Sequence, residues 1–322
     1  MTTQVALSPA QLVASAAIAS LEDTIGNTPL LPLRRVTAGL SPRVQVLAKA
    51  EWFNPGGSIK DRPAINILRR GLEEGRIKPG MRLLDSTSGN MGISYATFGA
   101  SLGVPVTLTM PANASPERVV MLQALGAELV LTDPLEGSDG AIRVARRMAD
   151  EQPERYYYAN QYDNPANWMA HYEHTGPEIV QQTAGRVTHL VAGLGTTGTL
   201  MGVGRYLRQY NPEMQIIAGQ PDAAFHGLEG LKHIPTSIQP AIFDPRLADR
   251  TVEISTEAAY AMVRRLAREE GLFVGISSGA TALAALQVAS ALEEGVVVTV
   301  FPDAGYKYLS DKALWDGEDD AH

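Results

Sequence analysis

Past an alanine-rich opening over residues 1–20, short apolar runs alternate along the chain with longer stretches of helical periodicity. Residues 44–51, 81–85, 104–110, 128–132, 156–159, 187–192, 214–219, 251–254 and 296–301 read as strands. Several of these runs are apolar at consecutive rather than alternate positions, which is what strands covered on both faces require. Helical spacing fills most of the gaps, notably over 62–72, 199–209 and 280–292. A further helix start is legible at Ser115-Pro116-Glu117, where a capping hydroxyl precedes a proline and an acid faces the dipole. Repeated strand–helix alternation predicts an α/β protein with two parallel sheets flanked by helices. Residues 221–250, rich in proline, glycine and histidine, break the rhythm and read as a long loop.

Composition narrows the function more than the fold. A length of 322 residues fits about two domains, and a 45% hydrophobic share supplies a sizeable core. The chain carries 27 basic and 35 acidic residues, a net charge of −8, and no basic run, which argues against nucleic acid as a partner. It has no cysteine, so disulfides, thiolate metal sites and a cysteine nucleophile are excluded. No apolar run is long enough for a bilayer, and the first twenty residues lack the basic start of a signal peptide. The expectation is a cytoplasmic protein with no membrane partner.

In doubly wound sheets, ligands bind where a strand's carboxyl end turns into a helix N-terminus. Four such junctions carry polar, glycine-rich sequence. In the first, Asn54-Pro55-Gly56-Gly57-Ser58-Ile59-Lys60-Asp61-Arg62, a lysine stands at the positive end of a helix dipole. That field would lower its pKa and suit an amine nucleophile or base; a surface lysine paired with Asp61 is the plain alternative. The second, Ser86-Thr87-Ser88-Gly89-Asn90-Met91-Gly92, offers hydroxyls, an amide and backbone N–H groups, a neutral cradle suited to a carboxylate or an ordinary helix cap. The third, Gly193-Leu194-Gly195-Thr196-Thr197-Gly198-Thr199, can hold a phosphate without a cation. It also matches G-x-G-x-x-G, with Asp222 closing the next strand, and so leaves a dinucleotide-dependent oxidoreductase open. The fourth is Gly275-Ile276-Ser277-Ser278-Gly279-Ala280, which alone would read as a serine cap. His171 and His174, three apart on the helix after Asn164, lack further ligands nearby, and no metal site is expected.

Taken together, in this order and spacing, the four junctions resemble the cysteine synthase family, pyridoxal-phosphate enzymes of the tryptophan synthase β fold. Ile25-Gly26-Asn27-Thr28-Pro29-Leu30, Thr175-Gly176-Pro177-Glu178-Ile179 and Tyr308-Leu309-Ser310 resemble further family segments, so the likeness runs from about Leu21 to Ser310. The G-T-T-G-T loop and the stretch from Gln220-Pro221 through Ile242-Phe243 to Leu247-Ala248-Asp249 are most similar to the B-type isozyme. The resemblance implies two domains, each an open, mostly parallel twisted sheet, with the cofactor in the cleft between them. A smaller, mobile domain (45–165) would carry the substrate-carboxylate loop, and a larger one (1–44 and 166–322) the phosphate loop. It further implies a homodimer acting on small molecules: O-acetylserine, whose acetate is replaced by sulfide, with thiosulfate accepted by some B-type members.

Carried over to this chain, the resemblance makes Lys60 the lysine that bonds the cofactor and Asn90 the partner of its phenolic oxygen. Gly195, Thr196, Thr197, Gly198 and Thr199 would bind its phosphate, and Ser277 would face its pyridine nitrogen, with Ser278 the alternative. Thr87, Ser88, Asn90 and Gln161 would receive the substrate. Two departures bear on specificity. Met91 replaces the threonine common in the family, and Gln220-Pro221-Asp222 lacks the arginine expected of O-phosphoserine users. Lys232-His233 supplies one strong cation where B-type enzymes often have two, leaving a thiosulfate donor open. A carrier-protein thiocarboxylate as donor, or a serine/threonine dehydratase activity, are the near alternatives; dehydratases are expected to have a longer all-glycine phosphate loop.

Overall fold

A computed structural model describes residues 20–87 and 89–317. The strands sort into two sheets. In the larger, β1 (Leu30–Pro32) pairs antiparallel with β2 (Val44–Ala50), and four parallel neighbours follow: β10 (Gly295–Phe301), β7 (His189–Gly193), β8 (Gln215–Pro221) and β9 (Arg250–Ile254). The smaller sheet is wholly parallel, in the order β5 (Glu128–Thr132), β4 (Val106–Pro111), β3 (Arg82–Ser86) and β6 (Tyr156–Tyr158). Each consecutively apolar run has become a strand. β4 is buried at every position and β10 at all but its first, as continuous apolar sequence demands. Only β1 escaped the hydrophobic pattern: it is three residues long, ends in proline and lies at an edge, where proline costs no ladder bond.

The flanking helices are α1 (Asp61–Glu73), α2 (Asn90–Leu102), α3 (Pro116–Ala124), α4 (Gly137–Glu151), α5 (Pro165–Ala170), α6 (Gly176–Gln182), α7 (Gly198–Tyr210), α8 (Thr256–Arg265), α9 (Ile276–Ser290) and α10 (Lys312–Trp315). A π-helical turn, His171–Thr175, joins α5 to α6. Helix α3 starts where expected, but the Ser115 hydroxyl donates to the Glu117 carboxylate at 2.6 Å instead of capping the backbone. The core is built from both sheets' inner faces. Under the large sheet, α9 contributes Ala280, Ala282, Ala284, Ala285 and Ala289, all buried, and their small side chains let it pack closely on α8 and β10. Under the small sheet, Ile67, Leu68, Leu83, Phe98 and Leu108 are fully buried.

The expected domain boundary at residue 45 cuts into β2, which pairs in the large sheet; the chain leaves that sheet only after Ala50. From there α1 packs on α2 and on α5. Where α1 begins, a buried charge cluster joins it to the large sheet. The Arg62 guanidinium donates to Glu51 at 2.7 and 2.9 Å and to Glu178, on α6, at 2.7 and 2.8 Å. Lys49 of β2 reaches the same Glu178 carboxylate at 2.6 Å. Over this cluster the Ile25–Leu30 segment makes a tight turn, with φ of 90° at Gly26 and 47° at Asn27. A Cβ at Gly26 would fall 2.9 Å from Glu178 Oε1, so the backbone passes directly over the charges. Among the described residues, no helix is long and apolar enough to cross a membrane.

Candidate active site

The four junctions converge on one cavity of about 490 Å³ between the sheets. Lys60, Thr87, Asn90, Gln161, Thr196 and Ser277 all line it, as do Gly195, Thr197 and Thr199. Gly198 does not reach the wall: its Cα packs so tightly on Asn167 that a Cβ would lie 2.0 Å from Oδ1. Ser278, the alternative to Ser277, is fully buried and off the wall. Ser88 lies outside the described residues. Asp222, which a dinucleotide site would need, is exposed and does not line the cavity.

Lys60 is the residue immediately before α1, held by a turn whose Ile59 N–H donates to the Pro302 carbonyl at 2.8 Å. Among the described residues no side chain hydrogen-bonds its Nζ. Burial pushes the amine down to about 8, partly offset by the negative charge of Asp303. Desolvation thus lowers the amine in the direction expected from the sequence. Lys60 is not paired with Asp61, whose carboxylate instead accepts from Gly56 N–H at 2.6 Å and Ser94 Oγ at 2.6 Å.

Thr197 caps α7 in the left-handed region, with φ of 67°. The turn brings Gly195 so near the opposite loop that a Cβ there would lie 2.3 Å from the Gly230 carbonyl oxygen. Thr197 is on the cavity wall beside the helix's first N–H groups, which have no intrahelical acceptor, and its Oγ1 is buried without a hydrogen-bond partner. A buried hydroxyl without a partner at a helix N-terminus is a donor suited to an anionic oxygen. His171 lies behind this loop, its Nδ1 3.0 Å from Thr175 Oγ1. The π-turn points His171 inward and leaves His174 exposed, and no metal-binding cluster occurs among the described residues.

Asn90 starts α2 and is fixed from both ends. Its Nδ2 donates to Asp303 Oδ2 at 2.7 Å, and its Oδ1 accepts from Lys307 Nζ at 2.7 Å. Lys307 also donates to the Gly57 carbonyl at 3.0 Å, and Tyr308 OH donates to the same Asp303 oxygen at 2.7 Å. Asp303 and Lys307 thus tie the Lys60 turn, Asn90 and the end of β10 together. On the other wall, Gln161 Nε2 donates to the Ser86 carbonyl at 2.9 Å, and its N–H donates to Asp85 at 3.2 Å. Burial pushes the Asp85 carboxyl up to about 7, against the backbone N–H groups of Ser86 and Gln161 that it accepts. Asp85 and Lys307 were not singled out in the sequence. A charge inside an apolar strand was the one signal for Asp85; Lys307 gave none.

The cavity therefore combines an amine with a lowered pKa, a neutral anion cradle and a braced amide. A family model for pyridoxal-phosphate dependent enzymes matches residues 21–303. The chain belongs to this family. It is 53% identical to a cysteine synthase of Aquifex aeolicus over 300 residues, covering 92% of this chain and 91% of that one. It is 42% identical to cysteine synthase B of Pseudomonas aeruginosa over 291 residues, 90% and 96% of the two chains. The crystal structure of a cysteine synthase from Entamoeba histolytica superposes with a TM-score of 0.91 at 35% identity, covering 99% of this chain and 96% of that one. The cofactor of this pyridoxal-phosphate enzyme fits the residues present: an amine for its aldehyde, and an unpartnered hydroxyl beside helix N–H groups for its phosphate. The dinucleotide reading is overturned both by the family and by the place of Asp222.

Proposed function

We propose that this protein is a cysteine synthase in which Lys60 bonds pyridoxal phosphate and the cofactor phosphate is held by Gly195, Thr196, Thr197, Gly198 and Thr199. The observation that carries the reading is the shared cavity of Lys60, its amine lowered to about 8, and the unpartnered Thr197 hydroxyl at the start of α7. Bound there, pyridoxal phosphate supplies an electron sink for loss of a substrate's α-proton and β-substituent. Lys60 would hold the cofactor through its amine and would also serve as the general base for the substrate's α-proton. The Ser277 hydroxyl, facing the pyridine nitrogen, would leave that nitrogen largely unprotonated and favour β-substitution over transamination. Asn90, braced by Asp303 and Lys307, would donate to the phenolic oxygen. Thr87, Ser88 and Gln161 would receive the substrate carboxylate together with Asn90.

The substrates that fit best are O-acetylserine and sulfide, giving cysteine and acetate. Gln220-Pro221-Asp222 offers no arginine for a phosphate leaving group. The unit on the small sheet would close over substrate, since Thr87 and Gln161 come from its strand ends while Thr196 and Thr197 come from the large sheet. On family resemblance, the proposal extends to a cytoplasmic homodimer. The test is borohydride reduction of the yellow holoprotein followed by peptide mapping, with assay of cysteine formation from O-acetylserine and sulfide. The label is expected on Lys60, and Lys60→Ala is expected to lose at least about a hundredfold in rate, the usual scale of a general base. Label on another lysine, or full activity in Lys60→Ala, overturns the assignment.

A further inference from the structure

Besides Lys60, two side chains with a fixed positive charge line the cavity, and each is already matched by a carboxylate. Lys232 Nζ lies 3.4 Å from Asp139 Oδ1 and 5.0 Å from the centre of the Tyr162 ring. Arg118, on α3, donates through Nη1 to Glu229, in the loop between β8 and β9, and its guanidinium stacks 5.3 Å from the centre of the Tyr308 ring. Both Arg118 and Glu229 are on the cavity wall. The pair is asymmetric: the Arg118 side chain is 5% exposed, whereas that of Glu229 is 41% exposed. The arginine is thus buried in the wall, and its counter-charge comes from the side of solvent. Asp311 adds a second carboxylate to the same wall, close enough to Tyr260 for a 3.5 Å hydrogen bond.

An oxyanion that reached this part of the cavity would be recognised by such a guanidinium, whose fork fits two oxygens at once. Here one arm of the fork, Nη1, already donates to a carboxylate of the same chain, present at far higher effective concentration than any free anion. Glu229 also places its own negative charge in the approach to the cavity. Hydrosulfide has no oxygen acceptors and makes little use of a guanidinium fork, so it loses little to this arrangement. Resting on the cysteine synthase reading, we infer that Glu229 is a specificity-determining residue: by holding Arg118 it keeps oxyanionic sulfur donors out and leaves sulfide as the donor. A donor such as thiosulfate would have to displace Glu229 before it could be bound beside the substrate.

The test compares wild type, Glu229→Gln and the double variant Glu229→Gln, Arg118→Gln as holoenzymes. Two quantities are read: the ratio of kcat/KM for thiosulfate to that for sulfide at fixed O-acetylserine, and the dissociation constant of thiosulfate by calorimetry without O-acetylserine. In Glu229→Gln the ratio is expected to rise, and the dissociation constant to fall, by at least about tenfold, the scale of one charge-assisted hydrogen bond. In the double variant both gains are expected to vanish. An unchanged ratio and dissociation constant in Glu229→Gln overturns the inference, as does a gain that survives the loss of Arg118. Should wild type convert O-acetylserine with neither donor, the cysteine synthase reading fails instead, and calorimetry alone still decides whether Glu229 holds oxyanions off Arg118.

Discussion

Replacing Glu178 should destabilise the whole molecule, because one carboxylate there serves two buried cations. Its side chain is 11% exposed, those of Arg62 and Lys49 2% and 0%, and both cations lie within 2.8 Å of it. Burial opposes its ionisation, but hydrogen bonds and charge from Arg62 and Lys49 outweigh that and hold the carboxyl at about 2. A fall from 4.5 to about 2 corresponds to roughly 3 kcal/mol of stabilisation. Lys49 is itself pushed down by burial, which Glu178 and Glu51 only partly offset, so the net gain comes through Arg62. Glu178→Ala also strands a charge, and the general cost of breaking a buried pair is about 3–5 kcal/mol. For 322 residues that corresponds to a Tm lower by roughly 4–7 °C, measured by calorimetry. Glu178→Gln keeps the shape and one acceptor and should lose roughly half as much. The pH dependence has a definite sign. A depressed carboxyl contributes fully above about pH 4.5 and loses its contribution as pH falls towards 2, so the gap in Tm between wild type and Glu178→Gln should narrow over that interval. A Tm unchanged within a degree in Glu178→Ala, or a gap that widens on acidification, would refute the reasoning.

Two further outcomes follow from the site. The rate at which apoprotein takes up pyridoxal phosphate, followed by absorbance, should rise with pH and reach half its plateau near 8, where half of the Lys60 amine is neutral; a midpoint at about 10.4 would show an ordinary lysine. Thr197→Val keeps the branched shape and removes only the hydroxyl, and should raise the dissociation constant for pyridoxal phosphate by about ten- to a hundredfold in equilibrium titration. An unchanged constant would remove Thr197 from the phosphate site.

The strands were legible because a parallel sheet covered on both faces leaves no polar position to blur the run; β4, β7, β8 and β10 show this most clearly. Helix starts were legible to within a few residues, but cap chemistry was not, since Ser115 donates to Glu117 and neither Ser277 nor Ser278 caps α9. The polar junctions stood out from their glycines and hydroxyls, and the cavity gathers all four. What supports them did not stand out. Lys307 and Glu229 act through partners more than a hundred positions away in the chain, and spacing along a sequence carries no information about such pairs. The buried cluster of Lys49, Glu51, Arg62 and Glu178 was equally silent, each member reading as an ordinary charge until the fold removed it from water.

The left-handed backbone at Thr197 sets a limit on how this loop can be improved. A branched residue pays roughly 1–2 kcal/mol to sit at such a φ, and glycine would sit there freely. Any drift towards greater heat resistance should therefore favour glycine at this position, at the expense of the one hydroxyl in the turn that is buried without a partner. With threonine there, the turn carries local backbone strain and a buried hydroxyl together, and relief of the one would remove the other.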